Sequence, residues 1–335
     1  MAIVELAVDA GSSNTSIFQR GTGLVLREPS VLAVSGGRRE KLAAWGADAK
    51  KLIGKAAGGT TVSMPISRGV AEDVSGTARL LGALAEKVVP ERVFFKKKFS
   101  MLLPVPCGST PSERQMLSDA AYKSGASRAA VVDAPVCALL GLGVPVSASE
   151  PVMIVDIGGG KTDIAVVTTR GMLTGCTVGI GGADIDLALQ QYLEGEFGLR
   201  AGAPAVERLK TQVGSLHPND RAETEISGID AATGAPLSMV TNSRLLYDVI
   251  ELHYRRIFEL TNAVLKDLPA EIRADIQARG IYVIGGASKV AGLHKAMAQA
   301  LSTKVNQVDE PAFVTALGAG ILLSERKALD LLLSA

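Results

Sequence analysis

Short apolar runs that end in glycine alternate along this chain with longer stretches in which apolar residues return every third or fourth position. The runs read as strands and the stretches as amphipathic helices. Val4–Val8 enters a glycine turn, and Thr15–Phe18 and Gly23–Arg27 follow at hairpin spacing. Ser30–Val34 reads as another strand, Ala43–Leu52 as a helix and Gly54–Thr60 as a loop. Apolar residues at 80, 81, 84 and 88 predict a helix over Ser75–Val88, and Met101–Pro106 a buried strand. Thr110-Pro111-Ser112-Glu113 is a capping box with proline at the first helical position, so a helix starts there and runs to Gly125. Val131–Val132 is a strand and Val136–Leu142 a short helix of small residues.

The pattern then begins again. Val152–Val155 enters glycines 158–160, Asp163–Thr168 returns, and Met172–Val178 makes a third strand. Helices are predicted over Ile185–Phe197 and Ala205–Val213, and a small hairpin from Glu223–Ile226 and Leu237–Val240. Ser243–Leu268 is the longest helix, with Leu246, Val249, Ile250, His253, Ile257, Leu260 and Val264 on one stripe. Ile281–Ile284 is a strand ending in Gly285-Gly286, followed by helices over Lys289–Leu301 and Phe313–Leu323. Alternation of strands and helices implies an α/β fold.

The restart is visible residue by residue. Asp9-Ala10-Gly11-Ser12-Ser13-Asn14-Thr15 recurs as Asp156-Ile157-Gly158-Gly159-Gly160-Lys161-Thr162. Both read Asp-x-Gly-x-x-x-Thr, each after a short apolar strand and before another, which is the mark of a duplicated lobe. A turn of this kind lines up backbone N–H groups in a concave nest that suits phosphate oxygens. Glycine admits positive φ and lets a phosphate approach without a Cβ in the way. The hydroxyls of Ser12, Ser13, Thr15 and Thr162 add donors. Asp9 and Asp156 would repel phosphate unless a divalent cation lies between, and Mg²⁺ is held by one or two carboxylates together with phosphates. The paired turns therefore predict a Mg-nucleotide. Gly285-Gly286-Ala287-Ser288, between a strand and a helix, is a third place for an anion or a flat ring against bare backbone.

Composition narrows the class. Apolar residues make up 47% of 335 residues, enough for a sizeable core, and the length suggests two domains or one bilobed one. Lys and Arg number 35 against 34 Asp and Glu, a balance that argues against a bulk nucleic-acid binder. Cys107, Cys137 and Cys176 have no metal-motif spacing and read as reduced thiols in a core. His217, His253 and His294 are scattered and form no ligand pattern. The N-terminus reads as a first strand rather than a signal peptide, and no apolar run reaches the ~18 residues of a membrane span.

These motifs together resemble the actin superfamily of ATPases, and within it the bacterial MreB family. The resemblance runs in order over nearly the whole chain: VDAGSSNTSIF at 8–18, RGTGLVLREPSVLAV at 20–34, WGADAKKLIG at 45–54, LLPVPCGST at 102–110, VDIGGGKTDIAVV at 155–167, GIGGADID at 179–186, VERLKTQVGS at 206–215, LPAEIRADIQARGIYVIGGASKVAGL at 268–293 and VTALGAGILL at 314–323. It implies an actin-like ATPase fold of two duplicated ribonuclease-H-like lobes with small inserted subdomains around a nucleotide cleft. The lobes would be 1–140 plus 313–335, with a small subdomain at about 30–68, and 141–312, with one at about 183–242. Gly11, Ser12, Ser13, Asn14 and Thr15 match the first phosphate loop, and Gly158, Gly159, Gly160, Lys161 and Thr162 the second. Glu207, Arg208, Leu209 and Lys210 match the ribose and adenine side, Gly285, Gly286, Ala287 and Ser288 the adenosine motif, and the helices at 135–142 and 313–323 the two hinge helices. ATP and Mg²⁺, with Asp9 and Asp156 as metal carboxylates, are the implied cofactors.

The implied function is a head-to-tail homopolymer in paired protofilaments. It would lie in the cytoplasm against the inner face of the plasma membrane, working with cell-wall elongation proteins to set rod shape. A filament for plasmid or organelle positioning, a sugar kinase and a chaperone ATPase are the alternatives on this scaffold. Two departures bear on catalysis. Where the family carries Glu at the second position of Glu-Glu-Pro, this chain reads Asp133-Ala134-Pro135, so Ala134 replaces the residue that positions the attacking water and Asp133 is a poor substitute. Lys161 stands where the family has Thr. Both changes weaken hydrolysis more than ATP binding. Phe94-Phe95-Lys96-Lys97-Lys98 reads either as an edge loop or as a membrane-touching one, with rings at the headgroup boundary and lysines on anionic lipid. The apolar side of 328–335 reads either as a face that docks a partner or as a frayed helix end, the latter preferred.

Overall fold

The computed structural model describes residues 3–36, 40–89, 98–145, 147–148 and 150–334. Strands β1 (Val4–Ala10), β2 (Asn14–Gln19) and β3 (Gly23–Pro29) form a meander. A three-stranded insert follows: β4 (Leu32–Ser35), β5 (Lys41–Trp45), the short helix α1 (Gly46–Lys51) and β6 (Thr60–Ser63). Helix α2 (Val74–Val88) leads to β7 (Phe99–Val105), α3 (Pro111–Lys123), β8 (Arg128–Asp133) and α4 (Ala134–Gly141). The first large sheet has the order β3-β2-β1-β7-β8, with β7 parallel to both β1 and β8.

The second half repeats that order. Strands β9 (Val152–Ile157), β10 (Thr162–Thr168) and β11 (Gly171–Val178) precede α5 (Gly182–Phe197), β12 (Leu199–Arg200), α6 (Ala203–Val213), β13 (Glu223–Asp230) and β14 (Pro236–Asn242). Then come α7 (Ser243–Asp267), α8 (Ala270–Arg279), β15 (Ile281–Ile284), α9 (Leu293–Leu301), β16 (Val305–Asn306), α10 (Val314–Ser324) and α11 (Arg326–Ser334). The second large sheet is β11-β10-β9-β15-β16, strand for strand the plan of the first, and β12-β13-β14 make the second three-stranded insert. By internal contacts the chain divides into one unit of Met1–Ile154, Asp163–Thr177 and Ala312–Ala335, and another of Val155–Thr162 and Val178–Pro311. This differs from the expected lobe boundaries, because 141–154 and 163–177 group with the first unit.

Period-two alternation explains the core of the first unit. Leu6, Val8, Met101 and Leu103 face one cluster with Leu80, Leu81 and Leu84 of α2 and Leu117, Ala120 and Ala121 of α3. Their neighbours Ala7 and Leu102 face the other way, onto Cys137 and Leu140 of α4, Ala319 and Leu322 of α10, and Leu329 of α11. A sheet buried on both faces is what its near-continuous apolar strands require. In the second unit Ile185, Leu189 and Leu193 of α5 are buried at helical spacing, as are Leu246, Ile250 and Ile257 of α7.

Some elements depart from the pattern reading. The stretch expected as one helix from Ala43 is half strand, because Gly46 at φ +63° turns the chain between β5 and α1. The tail of the expected loop 54–60 leads into strand β6, which pairs with β4. Helix α8 carries a single buried residue, Ile276, so it has little apolar stripe to find. Expected from Lys289, the next helix begins instead at Leu293, after a 3₁₀ turn over Gly286–Lys289 and an extended Val290. The Thr110–Glu113 capping box is present, with Thr110 N donating to Glu113 Oε2 at 2.7 Å and Glu113 N to Thr110 Oγ1 at 3.3 Å.

Candidate functional site

The first Asp-led turn joins β1 to β2. Asp9 is half-buried at the end of β1, and Gly11 is forced small because a Cβ there would lie 2.8 Å from the Asn14 carbonyl oxygen. Ser30 braces the turn from behind: its Oγ donates to Gly11 O at 2.6 Å and its N to Ser13 O at 3.0 Å. Ser12 Oγ accepts from Gly69 N at 3.0 Å. The carbonyls are thus engaged inward, while the N–H groups of Ser12 and Ser13 have no acceptor among the described residues.

The second turn is built the same way within the second unit. Gly158 N donates to Lys161 O at 2.9 Å, closing the turn. The first N–H groups of α5 then take up its carbonyls, Gly182 N to Gly158 O at 3.0 Å and Ala183 N to Gly159 O at 2.7 Å. Those are donors that a helix start leaves without an intrahelical partner. Gly181 must be glycine, since a Cβ would sit 2.6 Å from Lys161 N. With the carbonyls spent on α5, the N–H groups of Gly159 and Gly160 have no acceptor among the described residues.

Two expectations about these turns are corrected. Thr15 and Thr162 are fully buried, and their hydroxyls are used inside the fold: Thr15 Oγ1 lies 2.9 Å from Ser30 Oγ, and Thr162 Oγ1 donates to Ile180 O at 2.7 Å. They tie each turn to its support rather than offering donors outward. Nor does positive φ explain the glycines, because Gly11 and Gly158–Gly160 are absent from the left-handed positions. Close packing at Gly11, where the neighbouring carbonyl leaves no room, is the physical reason there.

The third turn is where φ matters. Gly285 has φ +89°, and a Cβ there would overlap both Ile157 O and the Asp156 carboxylate. The third turn is thereby seated directly against the Asp that opens the second. Tyr254 of α7, 2% exposed, donates to Ala287 O at 2.6 Å. Its phenol is pushed above the ordinary range by burial and then by the charge of Asp186. Lys210 reaches the same place, with Nζ 2.6 Å from Gly182 O and 2.8 Å from Asp186 Oδ1. Glu207 shares its helix face at i, i+3, whereas Leu209 is 2% exposed in the core and Arg208 points to solvent. A cavity of about 490 Å³ opens beside Ser288, lined also by His217, Lys289, His294, Lys295 and Glu310.

Ala134 is the first residue of α4, 8% exposed. Asp133 precedes it, and its carboxylate is bound by the Arg114 guanidinium. Cys107 is buried beside Asp163, whose Oδ1 accepts from Thr177 Oγ1 at 2.5 Å. Among the described residues no group of three or more His, Cys, Asp or Glu side chains could hold a metal ion by itself. Phe94, Phe95, Lys96 and Lys97 lie outside the described residues. Lys98 is exposed, and the neighbouring Phe99 is buried as the first residue of β7. Sequence reasoning missed Tyr254, Ser30 and Asp186. Tyr254 and Asp186 are unremarkable polar residues on helices and Ser30 lies in the bend between β3 and β4, and only tertiary packing reveals their roles.

Two sheets of the same strand order, each opening on an Asp-led turn, define an actin-like protein. The fold matches solved members of that class, with a TM-score of 0.89 and 25% identity to MreB5 of Spiroplasma citri bound to AMPPNP, covering 98% of this chain and 99% of that one. A TM-score of 0.78 to the MamK double helical filament, at 20% identity and covering 96% of this chain and 99% of that one, supports the fold alone. A family model described as MreB/Mbl protein matches residues 3–331, and the chain belongs to that family. It is 31% identical over 332 residues to the cell shape-determining protein MreB of Escherichia coli strain K12, covering 98% of this chain and 94% of that one. It is 30% identical over 326 residues to the cell shape-determining protein Mbl of Bacillus subtilis strain 168, covering 97% of each.

Proposed function

We propose that this chain binds ATP, with its phosphates taken by the two Asp-led turns, and assembles head-to-tail into membrane-associated filaments that organise cell-wall elongation and rod shape. The observation that carries the reading is the second turn. Its carbonyls are taken up by the start of α5, and Gly159 and Gly160 have no backbone acceptor among the described residues. Ser12 and Ser13 supply the equivalent pair in the first unit. Bare N–H groups in a nest are a polyphosphate's preferred partners. The third turn, held by Tyr254, offers backbone without side chains to a nucleoside. A relative bound to AMPPNP and relatives named for cell shape support the same reading. Subunits that repeat one heterologous contact form open polymers.

Asp9 and Asp156 are the residues that would hold Mg²⁺ through its water shell, and the ion would neutralise phosphate charge. Hydrolysis is slow in this account. Ala134 cannot accept a hydrogen bond from an attacking water, and Asp133 is engaged by Arg114. Attachment to the inner face of the plasma membrane rests on Phe94, Phe95 and Lys96–Lys98, which pair apolar rings with charge for anionic lipid. No helix among the described residues is long and apolar enough to cross a membrane. Phe94→Ser with Phe95→Ser is expected to abolish co-sedimentation with anionic liposomes and leave assembly intact; undiminished sedimentation with lipid would make the loop structural.

Calorimetry with ATP, with and without Mg²⁺, tests the nucleotide site. Asp156→Ala is expected to weaken Mg-dependent binding. Equal affinity of the variant and the unmodified chain would overturn the assignment.

A further inference from the structure

Lys210 is expected from its motif to serve the nucleotide directly, yet its ammonium is already engaged. Nζ donates to Gly182 O at 2.6 Å and lies 2.8 Å from Asp186 Oδ1, an oxygen sealed from solvent. The two side chains are 15% and 19% exposed. One of the three ammonium protons goes to Gly182 O, and the Asp186 carboxylate stands beside it as counter-charge. Gly182 has no side chain for a reason: a Cβ would lie 3.1 Å from Lys210 Nζ and 3.6 Å from Ala287 Cβ. The cation thus sits where the start of α5, the end of α6 and the third turn meet.

Gly182 is also the residue whose N–H holds Gly158 O, and its neighbour Ala183 holds Gly159 O. The contact at Gly182 O therefore lies one peptide unit from the contact that sets the second turn. Asp186 is four residues along the same helix, on the face of Gly182. Without its carboxylate, a largely buried cation would have lost its counter-charge, and such a cation withdraws toward water.

We infer that Asp186 is a positioning residue: it keeps Lys210 on Gly182 O, and so fixes the N-terminus of α5 and, through it, the phosphate-binding turn 158–161. This rests on the nucleotide reading above. It assigns Lys210 to the geometry of the phosphate side rather than to recognition of the nucleoside, although its motif belongs to the nucleoside side.

The test separates the two halves of a nucleotide and has a readout that needs no nucleotide. Asp186→Asn, Lys210→Met, the double variant and the conservative Asp186→Glu are compared with the unmodified chain. Hydrogen exchange is followed over residues 180–184 in nucleotide-free protein. ATP and adenosine each compete against a fluorescent ATP analogue. Asp186→Asn and Lys210→Met are each expected to speed exchange at 180–184 and to weaken ATP roughly tenfold, the scale of one lost charge-assisted hydrogen bond, while adenosine changes less than about threefold. The double variant is expected to match the single ones, since the pair acts as a unit. Asp186→Glu should keep most of the ATP affinity, and Lys210→Met stands in if Asp186→Asn does not fold. Unchanged exchange, or adenosine weakened as much as ATP, would overturn the inference. If the unmodified chain binds no ATP, the nucleotide reading fails, and the exchange result alone decides whether the latch exists.

Discussion

Replacing Gly318 with alanine should destabilise the first unit, against the ordinary rule for helices. Gly→Ala inside a helix normally stabilises by about 1 kcal/mol, because glycine loses more backbone freedom on folding. Gly318 is in the middle of α10, where it packs on α4 backbone to backbone. A Cβ at 318 would overlap the Cys137 carbonyl oxygen and sit 2.6 Å from Gly141 N. A Cβ on Gly141 would in turn overlap the Val314 carbonyl. Neither obstacle is a flexible side chain, so relief requires the two helices to part. They share one apolar cluster with Cys137, Leu140, Ala319 and Leu322, which would open. Overpacking of this kind costs about 1–3 kcal/mol where neighbours can shift, and the upper end applies to backbone, so a net loss of about 2 kcal/mol remains after the propensity gain. Trp45, the single tryptophan, is in the first unit and partly buried in its core, so its fluorescence in urea reports on that unit. With a slope of about 2 kcal/mol/M the midpoint should fall by about 1 M. Gly82→Ala in α2 is the control: its Cβ would meet nothing nearer than Ser124 O at 3.5 Å, so the midpoint should rise slightly. A midpoint for Gly318→Ala at or above that of the unmodified chain would refute the reasoning.

Two further outcomes are expected. Ala134→Glu should raise phosphate release and shorten filament lifetime, a missing positioning group typically being worth ~10²–10⁴-fold in rate; a turnover indifferent to it but abolished by Asp133→Asn would show that Asp133 has displaced Arg114 and taken over. Burial holds the His294 imidazole below its ordinary 6.5, and its Nε2 has no hydrogen-bond partner among the described residues. The unfolded chain then takes up the proton first, so this residue's contribution to stability should fall as pH drops through 6.5 and level off below the folded value. His294→Leu should flatten that slope in urea midpoints measured across the range, and an unchanged slope would exclude His294 as its source.

What was legible in the sequence is what local rules determine. The repeated Asp-x-Gly-x-x-x-Thr turn predicted the duplication, and the two sheets do share one strand order. The existence of helix α7 and the Thr110–Glu113 capping box needed no tertiary information, but of the expected stripe only Leu246, Ile250 and Ile257 are buried; Leu260 is exposed, and the buried face continues through Tyr254, Phe258, Thr261 and Leu265. The misses have one cause, that the decisive partner is distant in sequence. Thr15 reads as a phosphate donor until Ser30 is placed behind it, and Thr162 until Ile180 is. Gly11, the glycine of the first turn, reads as left-handed until the Asn14 carbonyl shows that space is what is short. The motif that marks Lys210 gives no sign that Gly182 O and Asp186 stand against its ammonium. Strands β5 and β6 are short edges of a small sheet, exposed on part of their length, so their hydrophobic signal is weak.

The central claim is that nucleotide taken by the two turns drives head-to-tail assembly, and electron microscopy of the purified chain with a non-hydrolysable ATP analogue tests it most directly. The account predicts filaments with the analogue and Mg²⁺, and none, or far fewer, without nucleotide or in Asp156→Ala. Filaments of equal number and length in all three samples would contradict it, as would their absence in all three at concentrations where the unmodified chain is saturated with the analogue.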